Sequence, residues 1–423
     1  MPDRSGPREH DERTRPHLRT RARAAAALLA AGGLALTLTA CTGGAEGSTG
    51  TAGADPSVPS APAATVSAGQ SDCGVGWAGG AAGTWRFDAK NTSTGGMDVV
   101  VADAAADMTT AREYLELEAI GPAASAGGDV TLASGSYRVV CIQADEEPVL
   151  GPIVHVTGAL AAGTTATPGI VPITQADLVP AVKTYEAWVG AHLATLSHRV
   201  RALDNDVARG DLTAARRDWL TAHSTYGTLG GAYDAFGDLG DAIDGLPTSG
   251  STALGDTGLT GFRRIEALLW AHRPAGAVRP MTRRLVKDVA ALRAGFTTAQ
   301  VDPTDLGIRA HEILEDAVQV QLAGEADGAS GTALAEIQAG VTGTRQALAA
   351  LRPLLTARGV DLTGVDGALA TLARTLRGYD HDGRWTARTD LSTAQREQLD
   401  VEVDTCVERL ATVAALADPR RAL

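Results

Sequence analysis

The chain has 423 residues, a formal net charge of −13 and a sequence pI of about 5.2. An acidic balance argues against nucleic acid as the main partner, because phosphate binding requires a basic surface. The length allows two to three domains with sizeable cores. None of the four cysteines lies in a CxxC pair, which excludes zinc ribbons and thioredoxin-like redox motifs.

The N-terminus predicts a secretory leader. Residues 1–23 are polar and carry seven arginines and four acids, whereas residues 24–40 contain no charge. An uncharged stretch of 17 residues is shorter than the roughly 20 residues of a membrane span and suits the apolar part of a signal peptide. It ends in Leu-Thr-Ala-Cys, which resembles a bacterial lipobox. We therefore expect residues 1–40 to be a lipoprotein signal peptide and the thiol of Cys41 to carry the lipid.

The next segment, residues 41–72, predicts a flexible tether. It is rich in Gly, Ser, Thr, Ala and Pro and cannot bury enough apolar area to offset the entropy lost on ordering. With the leader removed, 30 basic side chains remain against 46 acidic ones, a formal charge of −16. We expect the mature protein to be anchored by its lipid at the outer face of the cytoplasmic membrane, where disulfides persist.

Residues 73–157 predict a small antiparallel β-sandwich. Turn-forming clusters of Gly, Asn and Ser separate its β-rich runs, which are 84–89, 97–102, 130–132, 137–141 and 153–156. Cys73 begins this region and Cys141 lies in a late run, so the two predict a disulfide. The alternative is that Cys141 ligates copper. A blue-copper site needs two His, a Cys and usually an axial Met, but only His155 follows Cys141 and Met97 lies far upstream.

A linker over residues 158–172 leads into a helical region at 173–420. Thr174 and Asp177 have the spacing of a capping box, and from there apolar residues recur at a mean step near 3.6. Further helices are predicted at 212–226, 262–270, 281–296, 305–322, 334–358, 362–376 and from 393. No β-rich run interrupts them. The predicted fold class is therefore multidomain, with a small β-sandwich followed by an all-α domain.

One acidic stretch between helices is a candidate for metal binding. Residues 235–245 hold three carboxylates in what the glycines predict to be a loop. Hard cations prefer such oxygen ligands. Aspartates also form ordinary turns, so a solvated acidic turn is the plainer interpretation of this segment by itself.

Three other features have both a plain and a functional interpretation. Arg263 and Glu266 share a helical face at i, i+3, and His311 and Glu315 share one at i, i+4. The plain interpretation of each pair is a side-chain ion pair, and the functional one is ligation. Cys406 lies on the apolar stripe of the last helix and predicts a buried thiol rather than a nucleophile.

The helical region resembles the imelysin-like domain of EfeO-type iron uptake lipoproteins, in the imelysin (M75 peptidase-like) family. The stretches that carry the resemblance are LDNDVARGDLTAARRDW (203–219), FGDLGDAID (236–244), GFRRIEALLW (261–270) and the segment from HEILEDA to RQAL (311–348). Residues 73–157 look like the cupredoxin-like domain that precedes it in many relatives. The resemblance implies a domain of two packed helical bundles. It also implies iron as the bound metal, with a membrane permease and a haem peroxidase as partners.

The chain departs from the family's pattern at three positions. The signature HxxE has Arg263 in place of its histidine, although Glu266 remains. Gly230 stands where relatives carry a carboxylate, and Gly240 stands where they carry the second Asp of FGDLD. A guanidinium offers no lone pair and adds a fixed positive charge, which repels a cation at that position.

The resemblance therefore leaves three hypotheses for the site. A metal is held by Asp238, Asp241 and Glu266, with His223 and Tyr226 as neighbours. Alternatively, an arginine has neutralised the carboxylates and the site has lost its metal. In the third hypothesis that arginine contacts an anionic iron chelate.

The same features support three classes of function. The first is the membrane-anchored metal-binding component of an iron uptake system. The second is a diverged, non-catalytic binding or scaffold lipoprotein at the cell surface. The third, an M75-type metallopeptidase, would need a metal that activates water, and the missing histidine of HxxE counts against it.

Overall fold

The computed structural model of the protein describes residues 62–105, 108–144, 146–297, 300–324 and 329–419. The predicted signal peptide, Cys41 and most of the predicted tether lie outside these ranges. Within them, no helix combines the length and the apolar character that a bilayer span requires.

The first described part of the chain forms two β-sheets that enclose an apolar core. Strand β1 (Ala63–Ala68) pairs in parallel with β3 (Gly83–Asn91), and β3 pairs with β6 (Ser125–Leu132) in antiparallel fashion. The second sheet has the order β2 (Gly80–Ala81), β9 (Val154–Thr157), β7 (Gly135–Gln143), β4 (Met97–Asp103) and β5 (Glu113–Ile120), with β8 (Val149–Leu150) on β7. Alternate side chains point inward, as period-2 strands require.

Strand β1 corrects the predicted boundary of the tether. It lies within the segment that we expected to be flexible, so that prediction was wrong for residues 63–68. Ala64, Val66 and Ala68 are buried and alternate with more exposed neighbours. Such small side chains give little apolar signal within a Ser- and Ala-rich stretch. The expectation of a purely antiparallel sandwich was also wrong, because β1–β3 and β2–β9 are parallel pairs.

Strand β5 was missed because its sequence, EYLELEAI, mixes charged and apolar residues. It lies at the end of the strand order in its sheet, and edge strands commonly carry charge. The linker continues along this edge: Glu113 and Ile170 exchange two backbone hydrogen bonds of 2.8 and 2.9 Å. Part of the predicted linker is thus docked against the sheet.

A disulfide connects the start of the sandwich with β7. Its members are Cys73 and Cys141, the pair expected from the sequence, with Sγ atoms 2.08 Å apart. Both residues are buried in the sandwich core. A disulfide sulfur is not the thiolate that a metal binds, so the copper alternative for Cys141 is not the arrangement the structure adopts.

The second part of the chain is helical, as the sequence predicted. Helix α1 (Gln175–Arg209) starts at the predicted capping box, where the Thr174 side chain and the Asp177 backbone and carboxylate bond reciprocally. The helices that follow are α2 (Leu212–Gly227), α3 (Asp238–Asp244), α4 (Gly261–Trp270), α5 (Ala275–Gly295), α6 (Asp305–Asp316), α7 (Ala333–Ala357), α8 (Thr363–Arg377) and α9 (Thr393–Ala417). A short π-helix, Ala317–Leu322, continues α6. The hairpin of β10 (Asp380–His381) and β11 (Arg384–Trp385) interrupts the helices, contrary to expectation.

The acidic stretch at 235–245 is helical and not the loop that its glycines predicted. A 3₁₀ helix, Gly230–Phe236, precedes α3, and Gly237 between them has φ +52°. Asp238 and Asp241 lie in the first turn of α3, where carboxylates are favoured by the helix dipole. Two of the three carboxylates therefore have a local structural role.

The predicted core thiol is confirmed on α9. Cys406 is a free cysteine with 1% exposure, within the apolar core of the helical domain. Burial, with a contribution from Glu402, raises the pKa of its thiol to about 11. A thiol held neutral in this way is a packing group rather than a nucleophile.

Candidate functional site: a buried charge cluster

Five charged or titratable side chains meet inside the helical domain. They are His223 on α2, Asp244 at the end of α3, Arg263 and Glu266 on α4, and Glu336 on α7. None of these side chains is more than 16% exposed, and Glu266 is completely buried. We call this group the charge cluster. Burying so many ionisable groups is costly unless they neutralise one another.

Arg263 lies at the centre of the charge cluster. Its Nη1 and Nη2 donate to Oε1 and Oε2 of Glu336 at 3.1 and 2.8 Å, a bidentate pair. Its Nε lies 3.4 Å from Oδ1 of Asp244, and Nη1 lies 3.9 Å from Oε2 of Glu266. The i, i+3 pair predicted within α4 is therefore the longest of these contacts, and the main partner comes from another helix.

His223 bridges two of the carboxylates. Its Nε2 lies 2.9 and 3.1 Å from the two oxygens of Asp244, and its Nδ1 lies 3.8 Å from Oε1 of Glu336. Burial is the largest single influence and opposes the charged imidazolium, but Asp244 and Glu336 together raise the pKa of His223 despite the nearby Arg263. Burial by itself would raise the pKa of the Asp244 carboxyl, but His223 and Arg263 lower that pKa. The two groups form an ion pair.

Glu266 is the most deeply buried carboxylate of the charge cluster. Its Oε1 accepts a hydrogen bond of 3.2 Å from the backbone N–H of Ser330, and Arg263 is its nearest cation. Burial is the largest influence and raises the pKa of Glu266 from 4.5 to about 7. Near neutral pH this carboxyl is therefore partly protonated.

Close backbone packing brings α3 and α4 together at the charge cluster. Gly261, the first residue of α4, has φ +71°, and a Cβ there would lie 2.0 Å from the carbonyl oxygen of Ile243. Only glycine fits this approach, which places Asp244 beside Arg263. Trp219 of α2 fixes the same end of α4, because its indole N–H donates to the Phe262 carbonyl at 3.0 Å.

The residues proposed from the sequence divide into two groups in the structure. Asp238 and Asp241 are exposed on α3, and neither belongs to the charge cluster. Tyr226 is 2% exposed and packs against Phe262, with ring centroids 6.0 Å apart. Burial, with Asp244 and Asp241, raises the pKa of its phenol well above the ordinary value.

The other three proposed residues, His223, Arg263 and Glu266, do come together. The other two members of the charge cluster, Asp244 and Glu336, were not predicted as site residues, although the sequence offered a signal for each. Asp244 is the third carboxylate of the acidic stretch. Glu336 is the only acid in the otherwise apolar start of α7, ALAEIQA.

Two of the glycines singled out in the sequence have different surroundings in the structure. A Cβ on Gly230 would lie 2.7 Å from Cγ1 of Ile313, so any side chain there would require Ile313 to shift, and Arg309 donates to the Gly230 carbonyl. At Gly240 a Cβ would meet Phe236 and Tyr226 only at ordinary contact distances of 3.4 and 3.7 Å. That position therefore has room for a side chain.

The second predicted pair, His311 and Glu315, is an ion pair on α6. Their Nδ1 and Oε2 atoms are 3.7 Å apart, and the glutamate side chain is 43% exposed. The helix presents them at i, i+4 as predicted.

The charge cluster as it stands does not fit a metal ion. Its carboxylates are already bonded to a guanidinium, an imidazole or a backbone N–H. Among the residues the structure describes, no group of three or more His, Cys, Asp or Glu is arranged to hold a metal. The positive charge of Arg263 lies at the point where these carboxylates converge, which disfavours a second cation there.

The raised pKa of Glu266 predicts a pH-dependent stability. A carboxyl whose pKa is higher in the folded state stabilises the protein below pH 4.5, and this stability is lost as the pH rises through about 7. His223, whose pKa is also raised, acts in the same direction. As the pH rises, the free energy of unfolding should therefore fall by up to about 3 kcal/mol less in Glu266→Gln than in the wild type. Urea unfolding at pH 4.5, 6, 7 and 8 measures it, with exposed Glu397→Gln as the control. Parallel pH profiles for the wild type and Glu266→Gln would contradict the prediction.

Comparison with known proteins adds to this geometry. The family model described as imelysin (peptidase M75) matches residues 181–415. The iron uptake system component EfeO of Yersinia pestis is 25% identical over 297 residues, which cover 70% of this chain and 77% of that protein. EfeO of Yersinia pseudotuberculosis is 25% identical over 235 residues, 55% of this chain and 63% of that protein. EfeM of Bacillus subtilis, also an iron uptake system component, is 23% identical over 207 residues, 48% and 53% of the two chains.

Proposed function

Since the chain belongs to the imelysin family, we propose that it is an extracytoplasmic component of a bacterial iron uptake system whose helical domain has exchanged a metal site for an internal ion pair. The iron uptake role is supported by the relatives, which are named as components of such systems. The exchange is supported by one observation, the bidentate pair between Arg263 and Glu336. Arg263 stands at the position of the histidine in the family's HxxE pattern.

The charges of the site support this proposal over retained metal binding. Arg263 is 4% exposed and its guanidinium faces Glu336, Asp244 and Glu266 rather than solvent. It is therefore not placed to receive an anionic chelate from solution. A metal held instead by Asp238 and Asp241 would have only exposed ligands from one short helix. The protein then serves its system by binding other molecules or proteins.

The setting proposed for the protein follows from the sequence. The leader at 1–40 and the lipobox at Cys41 support a lipid anchor at the outer face of the cytoplasmic membrane. The disulfide Cys73–Cys141 is consistent with an oxidising compartment. We propose a membrane permease and a haem peroxidase as partners, and a cupredoxin-like sandwich, on the resemblance of the sequence to EfeO-type proteins.

Proteolysis is not part of the proposal. A metallopeptidase needs a metal with an open position for water and a general base beside it. Glu266, the remaining acid of the HxxE position, is completely buried and is bonded to the Ser330 backbone. A peptide has no access to it in this arrangement.

The test is a titration of the full-length chain, solubilised in detergent, with Fe(II) under anaerobic conditions. We expect no saturable binding at the charge cluster of the wild type. Arg263→His restores a lone-pair donor beside Glu266, Asp244 and Glu336, and we expect it to bind Fe(II). The double variant Arg263→His, Glu266→Gln should lose that binding. Arg264→His, one residue along α4, is the matched control.

Two results would overturn the proposed exchange. One is Fe(II) binding by the wild type that Glu266→Gln abolishes, because the cluster would then be a working metal site. The other is a folded Arg263→His variant that binds no more Fe(II) than Arg264→His. Chelator-sensitive peptide cleavage by the wild type would favour the peptidase instead.

A further inference from the structure

A groove lined by both apolar and polar side chains opens on the surface of the helical domain beside the charge cluster. It lies between α1, α2 and α7, with Trp385 of the β11 strand at its edge, and has a volume of about 350 Å³. That volume is at the lower end of the range for small-molecule sites. His223 of α2 belongs to the charge cluster, whereas the next residue, Ser224, lines this groove. The two sites share helices but no side chain.

The groove contains a cation without a carboxylate partner. Arg199 of α1 lines it, and its Nη1 donates to the Thr221 carbonyl at 3.0 Å and to the Thr225 hydroxyl. Among the described residues no carboxylate forms an ion pair with it. These two bonds hold the guanidinium in one place and leave the other N–H groups for a ligand. A fixed guanidinium of this kind is suited to a carboxylate or a phosphate.

A histidine is oriented on the same helix. The His192 ring stacks on the Trp188 indole, with centroids 3.8 Å apart, and its Nδ1 lies 2.9 Å from the Trp188 carbonyl oxygen. A carbonyl only accepts, so Nδ1 carries the proton. In this neutral tautomer Nε2 is an acceptor; it has no hydrogen-bond partner among the described residues and can accept from a donor group of the ligand.

The groove also presents an acceptor, which distinguishes between anions. The side-chain oxygen of Gln338 is buried and has no partner among the described residues. The Ser224 hydroxyl, which donates or accepts, has none either. An acceptor needs a donor from the ligand, and a fully ionised phosphate or sulfate offers acceptors only. Ala339 and Trp385 supply an apolar wall for a carbon skeleton.

From these groups together we infer that the groove is a binding site for a small hydroxycarboxylate anion. Arg199 bonds a carboxylate of the ligand. Ser224 and Gln338 bond its hydroxyl group, and Trp385 covers its carbon atoms. The inference uses no residue of the charge cluster, so it succeeds or fails separately from the proposed function.

The test is calorimetric titration of the full-length chain in detergent, free of metal, with citrate as the probe. We expect saturable binding at one site per chain. Tricarballylate, which has the same carboxylates without the hydroxyl, should bind several-fold more weakly, since one hydrogen bond is lost. Inorganic sulfate, which offers acceptors only, should bind more weakly still.

Variants assign the binding to the groove. Arg199→Gln should weaken citrate binding roughly 10- to 100-fold, as expected for the loss of charge-assisted hydrogen bonds. Ser224→Ala should weaken it several-fold without disturbing the fold. Arg201→Gln removes the same charge from an exposed position on α1 and should have no effect. Thermal unfolding of Arg199→Gln shows whether its loss is local, and Ser224→Ala decides the matter if Arg199→Gln is unfolded.

Three outcomes would overturn the inference. The first is the absence of saturable citrate binding by the wild type. The second is equal loss in Arg199→Gln and Arg201→Gln, which would show attraction by overall charge. The third is sulfate or tricarballylate binding as tight as citrate, which would show a general anion site without recognition of a hydroxyl group.

Discussion

Replacing Arg263 by alanine is expected to lower the free energy of unfolding of the helical domain by about 3–5 kcal/mol. Arg263 is the cation shared by Glu336, Asp244 and Glu266, all within 4 Å of its guanidinium. Its removal leaves buried carboxylates without a counter-charge, and the cost of an unpaired buried charge exceeds the net value of the pair.

Chemical denaturation of the full-length chain measures this effect. Arg283→Ala, an exposed arginine on α5, is the matched control and should change stability by no more than about 0.5 kcal/mol. The double variant Arg263→Leu, Glu336→Leu should recover part of the loss, since paired apolar side chains need no counter-charge. An Arg263→Ala variant as stable as Arg283→Ala would show that the charge cluster is not a coupled network.

Removing the disulfide is expected to destabilise the β-sandwich by about 4 kcal/mol, from the entropy that the unfolded chain regains. Cys73 and Cys141 are 68 residues apart in the sequence, so the bond closes a long loop. It also links the start of the sandwich to β7, a central strand of the larger sheet. The variant Cys73→Ala, Cys141→Ala should therefore unfold at lower denaturant concentration, read from the near-ultraviolet circular dichroism of Trp77 and Trp85 in the sandwich.

A reducing agent provides the control for this prediction. It should destabilise the wild type to the level of the double variant and leave the double variant unchanged. Cys406→Ala should keep the full response to the reductant, because Cys406 is a free cysteine in the other domain. Insensitivity of the wild type to reduction would contradict the prediction.

Local patterns predicted most of the fold. The 3.6-residue step of apolar side chains and the Thr174 capping box define α1 in the sequence, and the structure confirms both. Periodicity failed where side chains are small or charged. Strand β1 consists largely of Ala, Ser and Thr, and β5 alternates acids with apolar residues at a sheet edge. In each case pairing with a neighbouring strand, which is non-local, determines the structure.

The candidate site was predicted less completely, for a different reason. Proximity along the chain pointed to Asp238, Asp241 and the pair Arg263–Glu266. Of these residues, only Arg263 and Glu266 lie in the charge cluster, because Asp238 and Asp241 are exposed on α3.

The amino-acid sequence was enough to predict the family and the order of the β-rich and helical parts of the chain. These features depend on motifs and periodicities that are read over a few residues. The contacts of Arg263 depend on tertiary packing, because its main partner, Glu336, lies 73 residues away on another helix. A buried charge takes whichever counter-charge the packing of helices brings within a few ångströms, and that distance is not a property of the local sequence.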